Sequence, residues 1–581
     1  MIAIRYHDST KHHFSRFAPS LGYLDWATQP NPFRRYDGAV VRELPRASLA
    51  TTVPYTALYD PPSQRFDQAS GLVPQAIDDG SVGEFLRCSM GLSAWKQYGQ
   101  SRWALRVNPS SGNLHPTEAW IVRDGRVCHY APREHALEER CVFDSRPSGS
   151  AEYFLVALTS ITWREAWKYG ERAFRYCQHD TGHAIGALRF AAAMLGWRMQ
   201  LLPAWSDPQI ATLLGLDRDA DYEGAEREEP ECIALVATQP GLGIRDSGLD
   251  PDPDVLVDAA RRATWRGRAN RLSSDHVQWP LIEEVTRGMR YPGIRGPGSG
   301  IKTAGIGDQG SGIKNATPDE PRTPGSRIPD PGSLQSSTLA REVILRRRSA
   351  LAFNPRGVLQ RDAFFSMLNR LQTFTPPWDV IDWSPHVHLV LFVHRVKDMT
   401  PGIYAYLRDV NVLGEWKSAM RGEFLWEPVE PTSQIPRTDE PAHPANLFLL
   451  VPIDAGPVAN RLSCDQEIAE DGFFGLSMLA RFEEPLCTRG EWFYRRLFWE
   501  CGLIGQVLYL EAEAAGGRAT GIGCYYDEPV HELLGLSGHG WQSLYHFSMG
   551  LPVEDSRLTS EPGYEWEMTP ISNSQPPTVQ D

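Results

Sequence analysis

Residues 106–116 read RVNPSSGNLHP, a short stretch that places two serines, a glycine and an asparagine between two prolines. Backbone N–H groups and small polar side chains in such a tight loop can bind a flat polar ligand. The same residue types also form ordinary turns, so the stretch by itself predicts either a ligand-binding loop or a plain turn. Its candidate ligand contacts are Arg106, Pro109, Ser110, Ser111 and Asn113.

A second cluster lies downstream, where residues 163–176 read WREAWKYGERAFRY. Lys168 and Tyr169 are adjacent in it, and three arginines surround them. These arginines are Arg164, Arg172 and Arg175. A lysine amine beside other cations can act as a base, and a neighbouring tyrosine can share the proton transfer. The alternative is a solvated basic surface. Asp180 and His183 follow on the next helix, where packing or capping is the expected role.

Two further clusters follow in the second part of the chain, LRRRSALAF at 345–353 and RATGIG at 518–523. Consecutive arginines before a serine suit a phosphate group, although a basic helix end has the same composition. Paired glycines let the backbone approach a flat ring closely. No strand–GxGxxG–helix unit surrounds them, so a dinucleotide fingerprint is excluded. The candidate residues are Arg347, Arg348, Ser349, Gly521 and Gly523.

Composition narrows the function classes. The chain of 581 residues carries 58 Lys and Arg against 72 Asp and Glu, a net charge of −14. Such an acidic chain repels phosphate backbones, so no nucleic-acid partner is expected. No apolar stretch approaches the length of a membrane span, so no membrane partner is expected either. The N-terminal residues lack the apolar core of a secretory signal, which predicts a cytoplasmic protein.

Cysteine usage points the same way. Nine cysteines are thinly spread and no CxxC occurs, so neither a disulfide framework nor a zinc ribbon is predicted. His12 and His13 are adjacent, but no third ligand lies at a suitable spacing. The sequence therefore predicts no metal site.

Residues 291–337 are rich in Gly and Pro and contain the pentapeptide GSGIK twice, which predicts a flexible linker. On both sides the predicted elements follow one order, which is helix, β-hairpin, strand, long helix, short helix and final strand. In the first half they fall at 83–95, 119–132, 152–161, 182–197, 207–216 and 232–239. In the second half they fall at 359–372, 386–409, 445–454, 493–516, 528–536 and 543–552. An internal repeat explains this order.

Taken together, the motifs resemble those of the nitroreductase-fold flavoenzymes, and in particular the SagB/ThcOx-type dehydrogenases that oxidise azolines to azoles. PSSGNLHP (109–116) resembles that family's flavin loop, RRRS (346–349) its FMN-phosphate segment and TGIG (520–523) its glycine loop. WKYGERAFRY (167–176) with the following Gly-His is similar to the block whose Lys-Tyr pair is the family's proposed catalytic base. The resemblance implies FMN as cofactor and Lys168 and Tyr169 as catalytic residues.

Departures from the family pattern concern the pairing of the motifs. Family members are dimers in which each FMN takes its serine loop from one protomer and its arginine and glycine loops from the other. Here the first half has the serine loop, but its nearest arginine pair, Arg34-Arg35, lacks the serine. The second half has RRRS but reads TPPWD at 375–379 where a serine loop should fall, and FYRR at 493–496 instead of Lys-Tyr. Leu351 stands where the family's second arginine usually sits. We therefore expect one complete FMN site and a second, vestigial position.

The predicted fold class is α+β, with two nitroreductase-like domains in tandem that form an intramolecular pseudo-dimer. The predicted divisions are an N-terminal extension (1–82), domain 1 (83–290), the linker (291–337), domain 2 (338–560) and a disordered tail (561–581). The predicted function is FMN-dependent oxidation of an azoline-like heterocycle, in a small molecule or a peptide. The alternatives are an NAD(P)H-dependent nitro or quinone reductase and a degenerate scaffold of a biosynthetic complex. The substrate, the electron acceptor and further oligomerisation stay open.

Overall fold

The structure is a computed structural model, and it describes most of the chain. The described residues are 1–46, 52–60, 73–143, 153–238, 251–294, 338–372, 376–431 and 446–567. Most of the predicted linker, residues 295–337, lies outside them. Below, the first half means residues 83–290 and the second half residues 338–560.

Each half combines helices with an antiparallel sheet, which gives the predicted α+β class. The helices are α1 Ile2–Ser9, α2 Asp79–Arg87, α3 Thr162–Tyr169, α4 Ala173–Met194, α5 Asp207–Leu214, α6 Pro253–Arg262, α7 Pro280–Gly288, α8 Ala340–Arg346, α9 Arg361–Asn369, α10 Leu413–Ala419, α11 Gly456–Leu462, α12 Glu467–Glu470, α13 Glu483–Arg489, α14 Phe493–Ala514 and α15 Asp527–Leu534.

The strands are β1 Tyr36–Asp37, β2 Val40–Glu43, β3 Leu92–Tyr98, β4 Ser101–Arg106, β5 Thr117–Arg123, β6 Arg126–Ala131, β7 Ala136–Val142, β8 Tyr153–Ser160, β9 Arg198–Leu201, β10 Glu229–Ala237, β11 Thr264–Trp265, β12 Arg268–Ala269, β13 Val387–Val393, β14 Gly402–Tyr406, β15 Glu427–Pro428, β16 Leu447–Pro452, β17 Phe474–Arg481, β18 Arg518–Ile522, β19 Trp541–Gly550 and β20 Thr559–Pro562.

Each half is built on one antiparallel sheet, and the two sheets share a strand order. The first runs β11-β7-β6-β5-β8-β10-β9 and the second β15-β16-β14-β13-β17-β19-β18. The central strand β8 is buried along its whole length, and β17 over all but its last residue. One correspondence drawn from the sequence is wrong. The strand predicted at 445–454, observed as β16, matches β7, whereas the counterpart of β8 is β17.

The two halves pack against each other through their long helices. α4 and α14 both have 22 residues, and Gly182 and Gly502 occupy the same position in them. A Cβ added to Gly182 would lie 2.3 Å from the backbone oxygen of Trp499, and one added to Gly502 would lie 2.2 Å from that of His179. The helix backbones cross at these two glycines, since any larger side chain would separate them.

Helix boundaries are the main local difference from the sequence-based expectations. The helix predicted at 83–95 ends at Arg87, and β3 begins at Leu92. The helix predicted from residue 182 begins earlier, at Ala173. A short 3-10 turn, Gly170–Arg172, separates it from α3. The hairpin turn at Asp124-Gly125 is confirmed, with φ of 53° and 71° at its two residues.

The two chain ends bind the halves together. In α1, Tyr6 is fully buried and its hydroxyl donates a 2.6 Å hydrogen bond to the backbone oxygen of Glu171. The expectation of a disordered tail is wrong for residues 561–567. β20 pairs with β3 of the first half, Tyr564 is buried, and Glu567 forms a 2.6 Å ion pair with Arg87. Within the described residues, no helix combines the length and the apolar character that crossing a membrane requires.

Candidate functional site

A cleft of about 470 Å³ lies between the two halves. Its wall combines the serine loop of the first half with the arginine segment and the glycine loop of the second. All the predicted cofactor contacts line it, together with Tyr169. They are Arg106, Pro109, Ser110, Ser111, Asn113, Arg347, Arg348, Ser349, Gly521 and Gly523. Tertiary packing thus brings together four motifs that span more than 400 positions of sequence.

The serine loop is held in shape largely by its own polar groups. Gly112 and Asn113 both adopt a left-handed conformation with φ of 59°, and His115 one with φ of 53°. The Ser110 hydroxyl oxygen accepts a 2.7 Å hydrogen bond from the backbone N–H of His115. The Asn113 amide donates to the backbone oxygen of Ala104 at 2.9 Å. These side chains therefore shape the loop, and their predicted contacts with a ligand remain a prediction.

Asp180 supports the same loop from helix α4. Its carboxylate accepts hydrogen bonds of 3.0 Å from both the backbone N–H and the hydroxyl of Ser111. Complete burial raises the pKa of Asp180 to about 7, although the hydrogen bonds from Ser110 and Ser111 oppose this rise. Asp180 lines the cleft, so the site contains a buried carboxyl group that titrates near neutral pH.

Lys168 and Tyr169 lie at the end of α3, next to the serine loop. A Cβ added to Gly112 would lie 2.6 Å from the Tyr169 hydroxyl and 3.2 Å from Nζ of Lys168, so both groups reach the loop. Tyr169 lines the cleft, and its burial raises the pKa of its hydroxyl well above the usual value. The Lys168 side chain is exposed at the surface.

The expectation that three arginines act on Lys168 is wrong. Arg164 is fully buried and forms an ion pair with Glu118. Arg172 and Arg175 are buried and bind the two carboxylate oxygens of Asp527, at 2.9 and 2.8 Å. These arginines pair with buried carboxylates instead of surrounding the lysine. Arg172 and Arg175 share the carboxylate of Asp527 and so connect the two halves, whereas Arg164 pairs within the first half.

Arg347 lines the cleft with a buried guanidinium that is only partly hydrogen-bonded. Its guanidinium is buried, and Nη2 donates a 3.1 Å hydrogen bond to the backbone oxygen of Arg106. Its Nε and Nη1 have no hydrogen-bond partner among the described residues. Burial lowers its pKa, although the charge of a buried guanidinium still needs an acceptor. An anionic group bound in the cleft would supply one.

The neighbouring residues add to the positive charge. Arg348 donates to the backbone oxygen of Ser93 at 2.8 Å, and burial together with the charge of Arg347 lowers its pKa to about 10. Lys96, which no sequence motif included, and Arg518, the first residue of RATGIG, also line this part of the cleft. Leu351, in place of the family's second arginine, lines the cleft and is 73% exposed.

Ser349 and the glycine loop meet at Tyr509. The hydroxyl of Tyr509 lies 3.0 Å from that of Ser349 and accepts a 2.9 Å hydrogen bond from the backbone N–H of Gly521. A Cβ on Gly521 would lie 1.9 Å from the Tyr545 hydroxyl, and one on Gly523 would lie 2.0 Å from the Tyr176 ring. The absence of side chains here lets Tyr545 and Tyr176 pack directly against the backbone of the cleft wall.

Several residues of this wall were not predicted as site residues. Lys96, Tyr509 and Tyr545 lie on strands or a helix outside every quoted motif, whereas Tyr176 and Arg518 stand inside quoted motifs but were given no role there. Asp180 and His183 were expected only to pack or cap, yet both line the cleft. His183 lies 3.2 Å from the Tyr545 hydroxyl, and its burial lowers its pKa to about 3, so it is neutral.

The residues of the cleft fit a flavin mononucleotide. A buried guanidinium with unpartnered N–H groups, beside further cations and a serine, suits the phosphate. The glycine loop provides backbone that a flat ring can approach. The two sides come from different halves, as the sequence motifs predict.

The corresponding position on the other side of the α4–α14 contact is filled. The cavity there measures about 20 Å³ and is lined by Trp205, Tyr291, Trp492, Arg495, Arg496 and Trp499, among others. Arg495 forms a 2.8 Å ion pair with Asp207. The arginine pair of the N-terminal segment is also occupied, since Arg34 contacts Glu228 at 3.2 Å and Arg35 contacts Glu138 at 2.6 Å.

Two more ion pairs close this second position. Arg189 binds Asp379 of the predicted TPPWD stretch through two hydrogen bonds of 2.8 and 2.7 Å. Glu500, which matches Asp180 in helix position, forms a buried ion pair with Arg408 and accepts from the backbone N–H of Val387. Among the described residues, each of these carboxylates has a protein partner, and the cavity of about 20 Å³ is too small for a ligand of flavin size.

Comparison with known proteins agrees with this fold. The model of the Nitroreductase family matches residues 73–225. A nitroreductase-like protein from Anabaena variabilis shares 20% identity over 95% of this chain and 99% of its own, with a TM-score of 0.62. A second one, from Ralstonia eutropha, shares 14% identity over 39% of this chain and 98% of its own, with a TM-score of 0.26. No curated protein matches the chain. The chain has the nitroreductase fold.

Proposed function

We propose that this protein is an FMN-dependent oxidoreductase that binds one FMN per chain in the cleft between its halves. One observation carries the proposal. Arg347 is buried with two N–H groups that have no partner among the described residues, and it lines the same cleft as the serine loop of the other half. Burying an unsatisfied guanidinium is costly, so a chain that retains one gains from an anionic ligand.

The two sides of the cleft have different parts in holding the cofactor. Arg347, Arg348 and Ser349 hold the phosphate, and Lys96 and Arg518 add positive charge where Leu351 offers none. The serine loop, kept rigid by Asp180, provides the opposite wall. When bound, FMN supplies the two-electron chemistry by exchanging a hydride at N5.

We further propose that the reaction is the dehydrogenation of an azoline-like ring, in which the substrate loses a hydride and a proton. The Lys168 amine accepts the proton, and the Tyr169 hydroxyl orients the substrate beside it. Two observations support this. Nζ of Lys168 lies 5.2 Å from the centre of the Tyr169 ring, and both side chains lie against Gly112 of the cleft wall. The exposure of Lys168 lets it pass the proton on to water.

A spectrum and a stoichiometry of the purified full-length protein test the cofactor proposal. We expect flavin absorption and a flavin-to-polypeptide ratio near one. A ratio near two would contradict the single site, and a colourless protein that rejects added FMN would favour a scaffold.

The direction of the reaction needs a second measurement. Under anaerobic conditions, an azoline-containing peptide should bleach the flavin, whereas NADPH should do so slowly or not at all. Rapid bleaching by NADPH, with no reaction of the azoline, would instead indicate a nitro or quinone reductase.

A further inference from the structure

Three potential metal ligands meet at the edge of the cleft, outside the residues assigned to FMN. Cys464 and Cys524 lie with their sulfur atoms 3.0 Å apart, and Nδ1 of His12 lies 3.8 Å from the Cys524 sulfur. The three ligand atoms all lie within 4.8 Å of one another. Atoms this close can share one ion at zinc bond lengths of about 2.0–2.3 Å.

The cluster is assembled from distant segments, which is why no spacing in the sequence predicts it. His12 belongs to the N-terminal segment, Cys464 follows α11 with a left-handed φ of 55°, and Cys524 directly follows Gly523 of the glycine loop. His13 is adjacent to His12 in the sequence but does not belong to the cluster, and the other two ligands are not near this pair along the chain. The partners lie more than 450 positions away.

Two hydrogen-bond systems fix these segments. The Asp527 carboxylate accepts a 2.8 Å hydrogen bond from the backbone N–H of His12, and the Asp527 N–H donates to the His12 oxygen at 3.0 Å. The Gln466 amide donates to the backbone oxygens of Ser463 at 2.7 Å and Cys524 at 3.0 Å, which ties the two cysteine-bearing loops together. Such support of ligand-bearing backbone is typical of built metal sites.

We propose that His12, Cys464 and Cys524 bind a divalent transition-metal ion of the zinc type, with the fourth coordination position left to water or to a donor atom of the substrate. Two cysteines and one histidine are a known ligand set for a catalytic zinc that keeps one position open. Two thiolates and a neutral imidazole also balance the charge of a divalent ion.

The surroundings of the cluster include one buried cation, Arg172, whose Nη2 donates to the Gly523 oxygen at 3.2 Å. Arg172 forms an ion pair with Asp527, a carboxylate that it shares with Arg175. Cys524 and Gln466 both line the cleft, and both cysteines are only partly buried, so the site has an entry path. An ion here would sit beside the glycine loop, where it can polarise a substrate atom.

A disulfide is the competing outcome for the two cysteines. A disulfide bond needs a sulfur separation of about 2.05 Å, and both residues are free thiols in the structure at 3.0 Å. Oxidation would consume both sulfur ligands, so the two outcomes exclude each other and thiol counting separates them.

The test is a titration of the full-length, reduced and metal-free protein with Co²⁺. We expect one equivalent to produce the strong d–d bands of a four-coordinate thiolate site, at wavelengths longer than flavin absorbs, and Zn²⁺ to abolish them. His12→Ala, Cys464→Ser and Cys524→Ser should each weaken Co²⁺ binding at least 100-fold, and Gln466→Ala should weaken it by roughly 10–100-fold.

Two substitutions of the same residue types serve as matched controls. His13→Ala and Cys487→Ser should bind Co²⁺ as the parent does, and thermal melting of every variant verifies that it folds. Absence of the bands in the folded parent, or a Cys464–Cys524 disulfide in protein purified without reductant, would overturn the proposal. So would d–d bands that do not respond to added azide, because they would indicate a closed site. The readout needs no FMN, so it stands or falls apart from the proposed oxidoreductase function.

Discussion

Nη2 of Arg347 donates a 3.1 Å hydrogen bond to the backbone oxygen of Arg106, across the boundary between the two halves. The two residues belong to different sequence motifs, and this bond connects them in the wall of one cleft. Arg106 itself is anchored by donating to the backbone oxygen of Thr117 at 3.1 Å. The backbone of Arg106 thus positions Arg347, and a direct contact of the Arg106 side chain with the cofactor stays a prediction.

Replacement of Arg347 tests the phosphate site. Arg347→Gln removes the buried positive charge and most of its donors, so FMN affinity should fall by about 10- to 100-fold, or roughly 1.4–2.8 kcal/mol. Fluorescence titration of the flavin-free protein measures this. Arg346→Gln is the matched control, because Arg346 is exposed and pairs with Glu513 at 3.2 Å. Equal affinity in both variants would remove Arg347 from the site.

The glycine loop gives a steric prediction. Gly523→Ala places a methyl group 2.0 Å from the Tyr176 ring, so the ring or the loop must move. We expect weaker FMN binding and a shifted flavin spectrum. Gly540→Ala, where a Cβ would meet no atom within 4 Å, should behave as the parent. A Gly523→Ala variant with parental affinity would show that the cofactor does not approach this loop.

Asp180 predicts a pH dependence of stability. Its pKa rises from 3.8 to about 7 on folding, so between these values the folded state keeps a proton that the unfolded chain releases. Its contribution is therefore fully present below about pH 4 and is lost as the pH rises to about 7. In flavin-free protein, Asp180→Asn should flatten the fall of Tm over this range relative to the parent. Asp37→Asn, at an exposed position, should leave the slope as it is.

The catalytic proposal rests on Lys168. Lys168→Ala should keep the yellow flavin but lose turnover by at least about 100-fold, the usual contribution of a general base. Lys168→Arg should be equally inactive, because a guanidinium stays protonated at working pH. The exposed Lys397→Ala serves as the control. Steady-state kinetics at saturating substrate decide the point, and unchanged turnover would remove Lys168 from the mechanism.

Local patterns carried much of the fold. Alternation and turn residues predicted the β5–β6 hairpin, and apolar length predicted α4 and α14. The error over β17 has a physical cause. β17 is buried on both faces, so its sequence does not alternate between apolar and polar residues. β16 is also a largely apolar run. The order of these runs along the chain could not say which of the two strands matches β8.

The sequence by itself picked out the candidate segments, because their Ser, Arg and Gly residues together resemble the flavin-binding motifs of a known family. Only the tertiary structure decided what each side chain does there. Arg172 and Arg175 looked like modulators of Lys168 but bind Asp527, whereas Arg347 is the one arginine among the described residues with two unpartnered buried nitrogens. Asp180 gains its raised pKa from burial, and His12 meets Cys464 and Cys524 across more than 450 residues. Ion pairing, burial and metal ligation depend on distances in space, which residue order along the chain does not contain.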